Sequence, residues 1–334
     1  MSGTDTRLAQ LNAWLVQSAV KQAFTLEPAS SDASFRRYFR VTVGAATYIA
    51  MDAPPPQEDC RAFVKIAALM FDAGLNTPQI IAQDIEHGFL LLTDLGKITF
   101  LNGFDADNTD RLFSDAIDAL ILWQGASRSG VLPLYDGALL QREMALFPDW
   151  YVGRHLQTRF TSAQQRVFEA TSNLLVDAAL AQPSVYVHRD YMPRNLMLSV
   201  PNPGVLDFQD AVYGPITYDV ASLIRDAFVS WPEQRELDWV IRYWARARAA
   251  GLPVNADFAT FWRDVEWMGL QRHIKVLGIF ARINYRDGKP HYLKDTPRFI
   301  NYARKVSARY RELRQFAKLL DELEGRAHSI GYSF

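Results

Sequence analysis

The chain has 334 residues, enough for two lobes or domains rather than one. With 49% apolar and 22% charged residues it has the make-up of a globular protein, and a formal net charge of -1 gives no electrostatic reason to expect nucleic acid as a partner. The single cysteine, Cys60, excludes an internal disulfide and a multi-cysteine metal site, and no window approaches 18 uninterrupted apolar residues.

The start MSGTDTRLAQLNAWL lacks a basic segment followed by an apolar core, so no signal peptide and a cytoplasmic location are expected. Residues 5–22 place Leu8, Leu11, Leu15 and Val16 at helical spacing behind Asp5, a candidate N-cap. The alternating runs FRRYFRVTV and ATYIAM around Gly44 predict a β-hairpin, which prolines 54–56 end. QEDCRAFVKIAALMFDAG predicts a helix closed by Gly74, with Cys60 as a small buried thiol. PQIIAQDIEHGFLLLTDLG reads as a strand, a turn at His87–Gly88, and a second strand. From Lys97 onward helical periodicity dominates, over 108–129, 161–181, 217–229, 233–250, 257–280 and 298–325. The exception is 186–211, which reads as two short strands joined by loops. The expected fold class is α+β: a small β-rich N-terminal lobe over residues 1–96, ending in a joining strand near 89–96, and a larger, mainly helical lobe over 97–334.

Residues 186–211, YVHRDYMPRNLMLSVPNPGVLDFQDA, hang three oxygen-bearing side chains from short apolar runs: Asp190, Asn195 and Asp207. Hard oxygen ligands of this kind suit magnesium, which shares its coordination with phosphates. Asp190, five residues before the asparagine, can accept a proton from a substrate hydroxyl. These are the parts that phosphoryl transfer from ATP needs. The order His-Arg-Asp-x4-Asn and then Asp-Phe resembles the catalytic and metal-binding loops of kinases, which implies a bilobal protein-kinase-like fold. Gln209 stands where the protein-kinase motif has glycine, and Asp219 in YDVASLIRD comes only twelve positions after Asp207. That leaves no room for a peptide-docking activation segment. The pattern instead resembles the aminoglycoside phosphotransferase and choline kinase superfamily, whose members phosphorylate small molecules. The resemblance implies that Asp219 braces the catalytic loop and that His188 packs behind it.

Further blocks narrow the likeness. SDASFRRYFRV, YIAMDAPP, GFLLLTDLG, LFPDWY and QRHIKVLGIFARINYRDGKPHYL, together with the catalytic motifs, resemble the bacterial anomeric N-acetylmuramate/N-acetylglucosamine kinases of cell-wall recycling, from about residue 30 to 310. That likeness implies ATP- and Mg2+-dependent phosphorylation of the anomeric hydroxyl of an amino sugar in peptidoglycan recycling. No nucleic acid, membrane or obligate protein partner is expected.

Superfamily members carry a phosphate-binding lysine where this chain has Met51 or Asp52. Loss of the cation opens the alternative of a pseudokinase. Arg36, Arg37 and Arg40 lie in the preceding hairpin, with Arg37 on the opposite face by alternation, and an arginine fork can meet phosphate oxygens in the lysine's place. SSDASF, containing Ser34, is a candidate phosphate cradle, and the backbone of Thr93 and Leu95 is expected near the adenine. On the acceptor side, residues 1–229 hold 17 Lys+Arg against 25 Asp+Glu (-8), while 230–334 hold 19 against 12 (+7). A basic lobe suits an anionic or neutral sugar, so Arg272 and Lys275 are candidates for a lactyl carboxylate. Asp149, Trp150 and Arg194 are further candidate acceptor contacts, and Tyr151, Trp267 and Tyr285 could offer apolar faces to sugar rings.

Overall fold

The computed structural model describes residues 5–31 and 35–325. Helix α1 (Thr6–Trp14) starts where the Asp5 carboxylate accepts the Leu8 amide at 3.0 Å, and it runs into a π-helical stretch, Leu15–Ala19. Strands β1 (Thr25–Ser31), β2 (Arg37–Val43) and β3 (Ala46–Asp52) precede helix α2 (Cys60–Asp72), and strands β4 (Ile80–Asp84) and β5 (Phe89–Thr93) follow it. Among the described residues these strands form a five-stranded antiparallel sheet ordered β1-β2-β3-β5-β4. β1 escapes the sequence pattern because Pro28 interrupts it. It survives as an edge strand whose register slips between Pro28 and Ser30. α2 ends as expected: Gly74 takes φ +87, with its amide on Phe71 O at 2.9 Å and that of Leu75 on Met70 O at 3.0 Å. The turn before β5 also demands glycine, since a Cβ on Gly88 would lie 1.9 Å from the Ala53 carbonyl oxygen.

The chain continues with α3 (Phe100–Gly103), α4 (Thr109–Gly125), α5 (Gly137–Met144), a π-helical stretch Phe147–His155, and α6 (Ser162–Leu180). Short strands follow: β6 (Ser184–Val187), β7 (Leu196–Met197), β8 (Gly204–Val205) and β9 (Val212–Pro215), with β6 paired to β9 and β7 to β8. The two strands expected in 186–211 are thus parts of two separate two-stranded ladders. Helices α7 (Tyr218–Ile224), α8 (Glu233–Ala249), α9 (Phe258–Asp287), α10 (Thr296–Arg309) and α11 (Arg314–Leu323) complete the chain. The single helix expected over 298–325 is broken at Tyr310, whose backbone is extended and whose hydroxyl donates to Glu266 at 2.6 Å. The break lets Leu313, Phe316, Leu319 and Leu320 all enter the core.

Two compact units result, and the division falls elsewhere than after residue 96. One unit covers the chain to Trp123 together with Pro193–Ala211; the other covers Gln124–Met192 and the chain from Val212 onward. Hydrogen bonds explain the shift. Leu198 N donates to Ile98 O at 2.8 Å, Asn76 Nδ2 to Ser199 Oγ at 3.0 Å, and Asn202 Nδ2 to Asp115 at 2.6 Å, tying 193–211 to the N-terminal segment.

In the first unit, one sheet face (Phe39, Val41, Ala50, Phe89, Leu91) packs with Leu11, Trp14 and Leu15. At the rim of that face Asp52 is fully buried, accepting from Arg7 Nε at 3.2 Å and from Arg37 Nε and Nη2 at 3.0 and 2.6 Å. In the second unit α9 is the central helix. Gly278 permits the closest approach to it, since a Cβ there would lie 2.4 Å from the Leu146 carbonyl carbon. Replacing Asp52 by Ala would leave two arginine forks facing an apolar void. Because both arginines are about one-third exposed, the expected loss is about 2 kcal/mol, below that of a fully buried pair. Urea unfolding monitored by tryptophan fluorescence measures it.

Candidate active site

In the second unit, β6 delivers His188, Arg189 and Asp190. Val185, Tyr186 and Val187 are buried and paired with β9, so the strand end is rigid. Arg189 then takes φ +76, an unfavourable value for a residue with a long side chain. It is held there from three sides. The buried carboxylate of Asp219, in the first turn of α7, accepts the amides of His188 at 2.6 Å and Arg189 at 3.0 Å. The Arg189 guanidinium pairs with Glu143, and the Asp190 amide donates to His188 Nδ1 at 3.2 Å. His188 therefore packs behind the loop, and Asp219 braces it.

Glu143 is the centre of a cluster that sequence reading missed. Besides Arg189 it meets Lys275 Nζ at 2.9 Å and the Tyr135 hydroxyl, while Lys275 also donates to Tyr218 Oη at 3.0 Å. Burial pushes the Glu143 carboxyl up, but Lys275 and Arg189 outweigh it and hold the group below its ordinary value. No local signal marks Glu143, which sits in an unremarkable helical run.

In the first unit, Asn195 closes the 3-10 turn Pro193–Asn195 and its carbonyl accepts the Leu206 amide at 2.9 Å. The β7–β8 ladder sets the two segments opposite each other, so Asn195 Nδ2 reaches Asp207 Oδ2 at 3.3 Å. Asp207 takes φ +62, which a short polar side chain tolerates, and Gln209 Nε2 donates to its other oxygen at 2.8 Å. Gln209, in place of the usual glycine, thus orients the carboxylate. Phe208 is fixed against Phe63 of α2 with ring centroids 4.7 Å apart. An amide and a carboxylate side chain brought this close are oxygen donors of the hard kind that magnesium takes. No group of three or more His, Cys, Asp or Glu side chains able to hold a metal occurs among the described residues.

The sheet sorts the nucleotide-side candidates. Alternation along β3 puts Met51, fully buried, on the face opposite Asp52. Arg37 is corrected: it lies on the Asp52 face, tied to Asp52 and Asp5. Arg40 is paired with Asp94 at 2.6 Å. Arg36 is half-buried, 3.8 Å from Glu58; burial opposes its charge, but Tyr38, Glu58, Asp207 and Asp210 together favour it. The Thr93 amide donates to Gln79 O at 2.9 Å, and Leu95 is half-buried just beyond β5. Ser34 lies outside the described residues.

Two acceptor-side expectations are also revised. Lys275 and Arg272 are buried inside α9 and do not form a solvated basic face. Lys275 is neutralised by Glu143. Arg272 reaches Met192 Sδ at 3.7 Å and faces the buried Asp219 and Asp226. Trp150 packs half-buried against the core, Asp149 is exposed in a cavity of about 420 Å³ with Gln141 and Asn173, and Arg194 is half-buried beside Asn195 in sequence. Tyr151 and Trp267 are core residues, and Tyr285 Oη is 3.2 Å from His155 Nδ1.

Residues 25–254 match the model of the phosphotransferase enzyme family. The chain belongs to that family. It is 54% identical to a Pseudomonas putida protein named N-acetylmuramate/N-acetylglucosamine kinase, over 97% of this chain and 99% of that one. A Neisseria meningitidis protein of the same name is 48% identical, over 98% and 99%. The fold of this phosphotransferase is similar to that of a choline kinase from Streptococcus pneumoniae, with TM-score 0.65 and 14% identity over 91% of this chain and 99% of that one. No helix among the described residues is long and apolar enough to cross a membrane.

Burial pushes the Asp219 carboxyl up to about 7, against the two amides and Arg272 that favour its charge. The brace therefore sits well above the ordinary carboxylate range. Since the folded value lies above the ordinary 3.8, the folded chain takes up this proton first as pH falls, so the group's burial penalty is present above about 7 and relieved toward pH 4. Asp219→Asn points an NH2 group at a backbone N–H and should lower kcat roughly ten-fold. The wild type should gain stability relative to that variant as pH is lowered from 7 to 4. Thermal melts of both proteins across that range check the sign.

Proposed function

We propose that the protein is an ATP-dependent kinase of N-acetylmuramate and N-acetylglucosamine, transferring phosphate to the anomeric hydroxyl to give the 1-phosphate for peptidoglycan recycling. The observation that carries phosphoryl transfer is the meeting of Asn195 and Asp207 at 3.3 Å, five and seventeen residues after an Asp190 whose loop is braced by Asp219. The full-length likeness to proteins with that name supports the choice of acceptor.

In this reading Asp190 accepts the hydrogen bond of the attacking hydroxyl and takes up its proton. An anomeric hydroxyl is more acidic than an ordinary alcohol, so a carboxylate needs little tuning to assist it. Asn195 and Asp207 hold magnesium. The ion supplies positive charge that neutralises and orients phosphate oxygens. Arg36, just before β2 and with Asp207 and Asp210 among the groups favouring its charge, takes over the missing lysine's task. The backbone near Thr93 and Leu95 borders the adenine. Because the reaction consumes ATP, a cytoplasmic location follows from it.

Asp207→Ala should lower turnover with either sugar by at least about a hundred-fold in a coupled ADP-release assay. Near-wild-type turnover would remove Asp207 from the metal site. Arg36→Ala should raise the KM for ATP about ten-fold, whereas Arg37→Ala should lower Tm with a smaller change in that KM. The reverse pattern would make Arg37 the phosphate ligand. Calorimetric titration of ATP with and without magnesium separates this reading from a nucleotide-binding pseudokinase, which would yield no phosphorylated sugar.

A further inference from the structure

Among the described residues, three that are not glycine take a positive φ: Gln157, Arg189 and Asp207. Gln157 is exposed just past a π-helical stretch, and Asp207 has the short polar side chain that tolerates this conformation. Arg189 differs from both. It puts a long, half-buried side chain on a backbone that glycine would adopt without steric cost, one residue before Asp190. Asp219 takes its amide and that of His188, but an amide hydrogen bond leaves the clash of Cβ with the following carbonyl in place. Contacts of the side chain have to offset it.

Those contacts come from three helices of the second unit. Glu143 of α5 accepts from Arg189 Nη2 and Lys275 Nζ on one carboxylate oxygen, the lysine at 2.9 Å, and from the Tyr135 hydroxyl on the other. The Tyr135 ring also lies against the guanidinium, its centroid 5.6 Å from Cζ. Lys275 of α9 donates to Tyr218 Oη at 3.0 Å, and the Tyr218 ring meets that of Tyr135 edge-on with centroids 5.2 Å apart. Tyr218 is the neighbour of Asp219 in α7. One helix thus serves the loop twice, through the Asp219 carboxylate on the backbone and through Tyr218, Lys275 and Glu143 on the side chain. Lys275 and Tyr135 fix the Glu143 carboxylate from two directions, so Arg189 docks on a partner already ordered.

We infer that Glu143 is a positioning residue for phosphoryl transfer: its grip on the Arg189 side chain keeps that residue in the left-handed conformation that presents Asp190. The inference rests on the kinase reading above. Without the grip, relaxation of Arg189 toward negative φ would displace the Asp190 carboxylate, and misplacement by about 1 Å can cost a hundred-fold in rate.

Two substitutions of Arg189 test it, since both leave Glu143 neutralised by Lys275. Arg189→Met keeps the Cβ and removes the grip, whereas Arg189→Gly removes the grip and the need for it. In steady-state kinetics Arg189→Met should lower kcat about ten-fold with the KM for ATP changed by less than about two-fold. Arg189→Gly should stay within about three-fold of the wild-type kcat. Glu143→Gln, checked for folding by thermal melt, should lose kcat as Arg189→Met does, and adding Arg189→Gly should restore most of it. If Glu143→Gln does not fold, the two Arg189 variants decide. A role confined to stability would lower Tm without lowering the kcat of folded protein, and glycine would restore nothing. Wild-type kcat in folded Arg189→Met, or a loss that Arg189→Gly shares in full, would overturn the positioning role while leaving the kinase reading intact. Wild-type protein that phosphorylates neither sugar would overturn both.

Discussion

The Asp219 carboxylate, sealed from solvent and accepting two consecutive amide protons, is the constraint on which the catalytic loop depends. Two residues beyond β6 the chain is forced to positive φ at Arg189, and such a conformation persists only where its surroundings over-determine it. Asp219 supplies two of the fixing bonds, Glu143 holds the Arg189 side chain, and the His188 ring takes the next amide. Asp190 is thereby presented by a backbone with few alternatives. Catalysis by positioning needs that rigidity, since an Ångström of misplacement costs orders of magnitude in rate.

A buried carboxylate has to be offset, and the compensation propagates. Arg272 faces both Asp219 and Asp226, and Lys275 and Arg189 together neutralise Glu143. Arg225 bridges Glu236 at 3.1 Å and Glu266 at 3.0 Å, and Arg309 meets Glu266 at 2.6 Å. Arg272 and Lys275, the two buried cations of α9, are therefore internal counter-charge rather than a field offered to ligands. The cations open to solvent, among them Arg263 and Arg286 at the two ends of α9, are spread over several elements rather than gathered on one face.

In the first unit the pleat of the sheet performs an equivalent sorting. Side chains one residue apart face opposite ways, so Arg37 joins the Asp52 network against α1 while Met51 turns to the other face. Arg36 lies in the field of Asp207 and Asp210, and Gln209 orients the Asp207 carboxylate. A cation and an amide thus stand close to the Asp207 carboxylate within the same unit.

Short-range order was legible in the residues themselves. Asp5 and Gly74 mark helix ends because capping uses local hydrogen bonds, the hairpin around Gly44 follows from alternation, and Asp190, Asn195 and Asp207 declare their chemistry by type and spacing. β1 was missed because Pro28 breaks its pattern, and the 298–325 helix was read as one because periodicity does not register a bend that serves packing. Charge pairing was the part that tertiary structure decided. Glu143, Arg189 and Lys275 stand far apart in the chain and look like ordinary surface residues, and Arg272 looks like part of a solvated face. Periodicity tells which face of a helix turns inward, but α9 is enclosed on nearly every side, and only the elements packed around it determine whether a cation there meets water, substrate or a buried carboxylate.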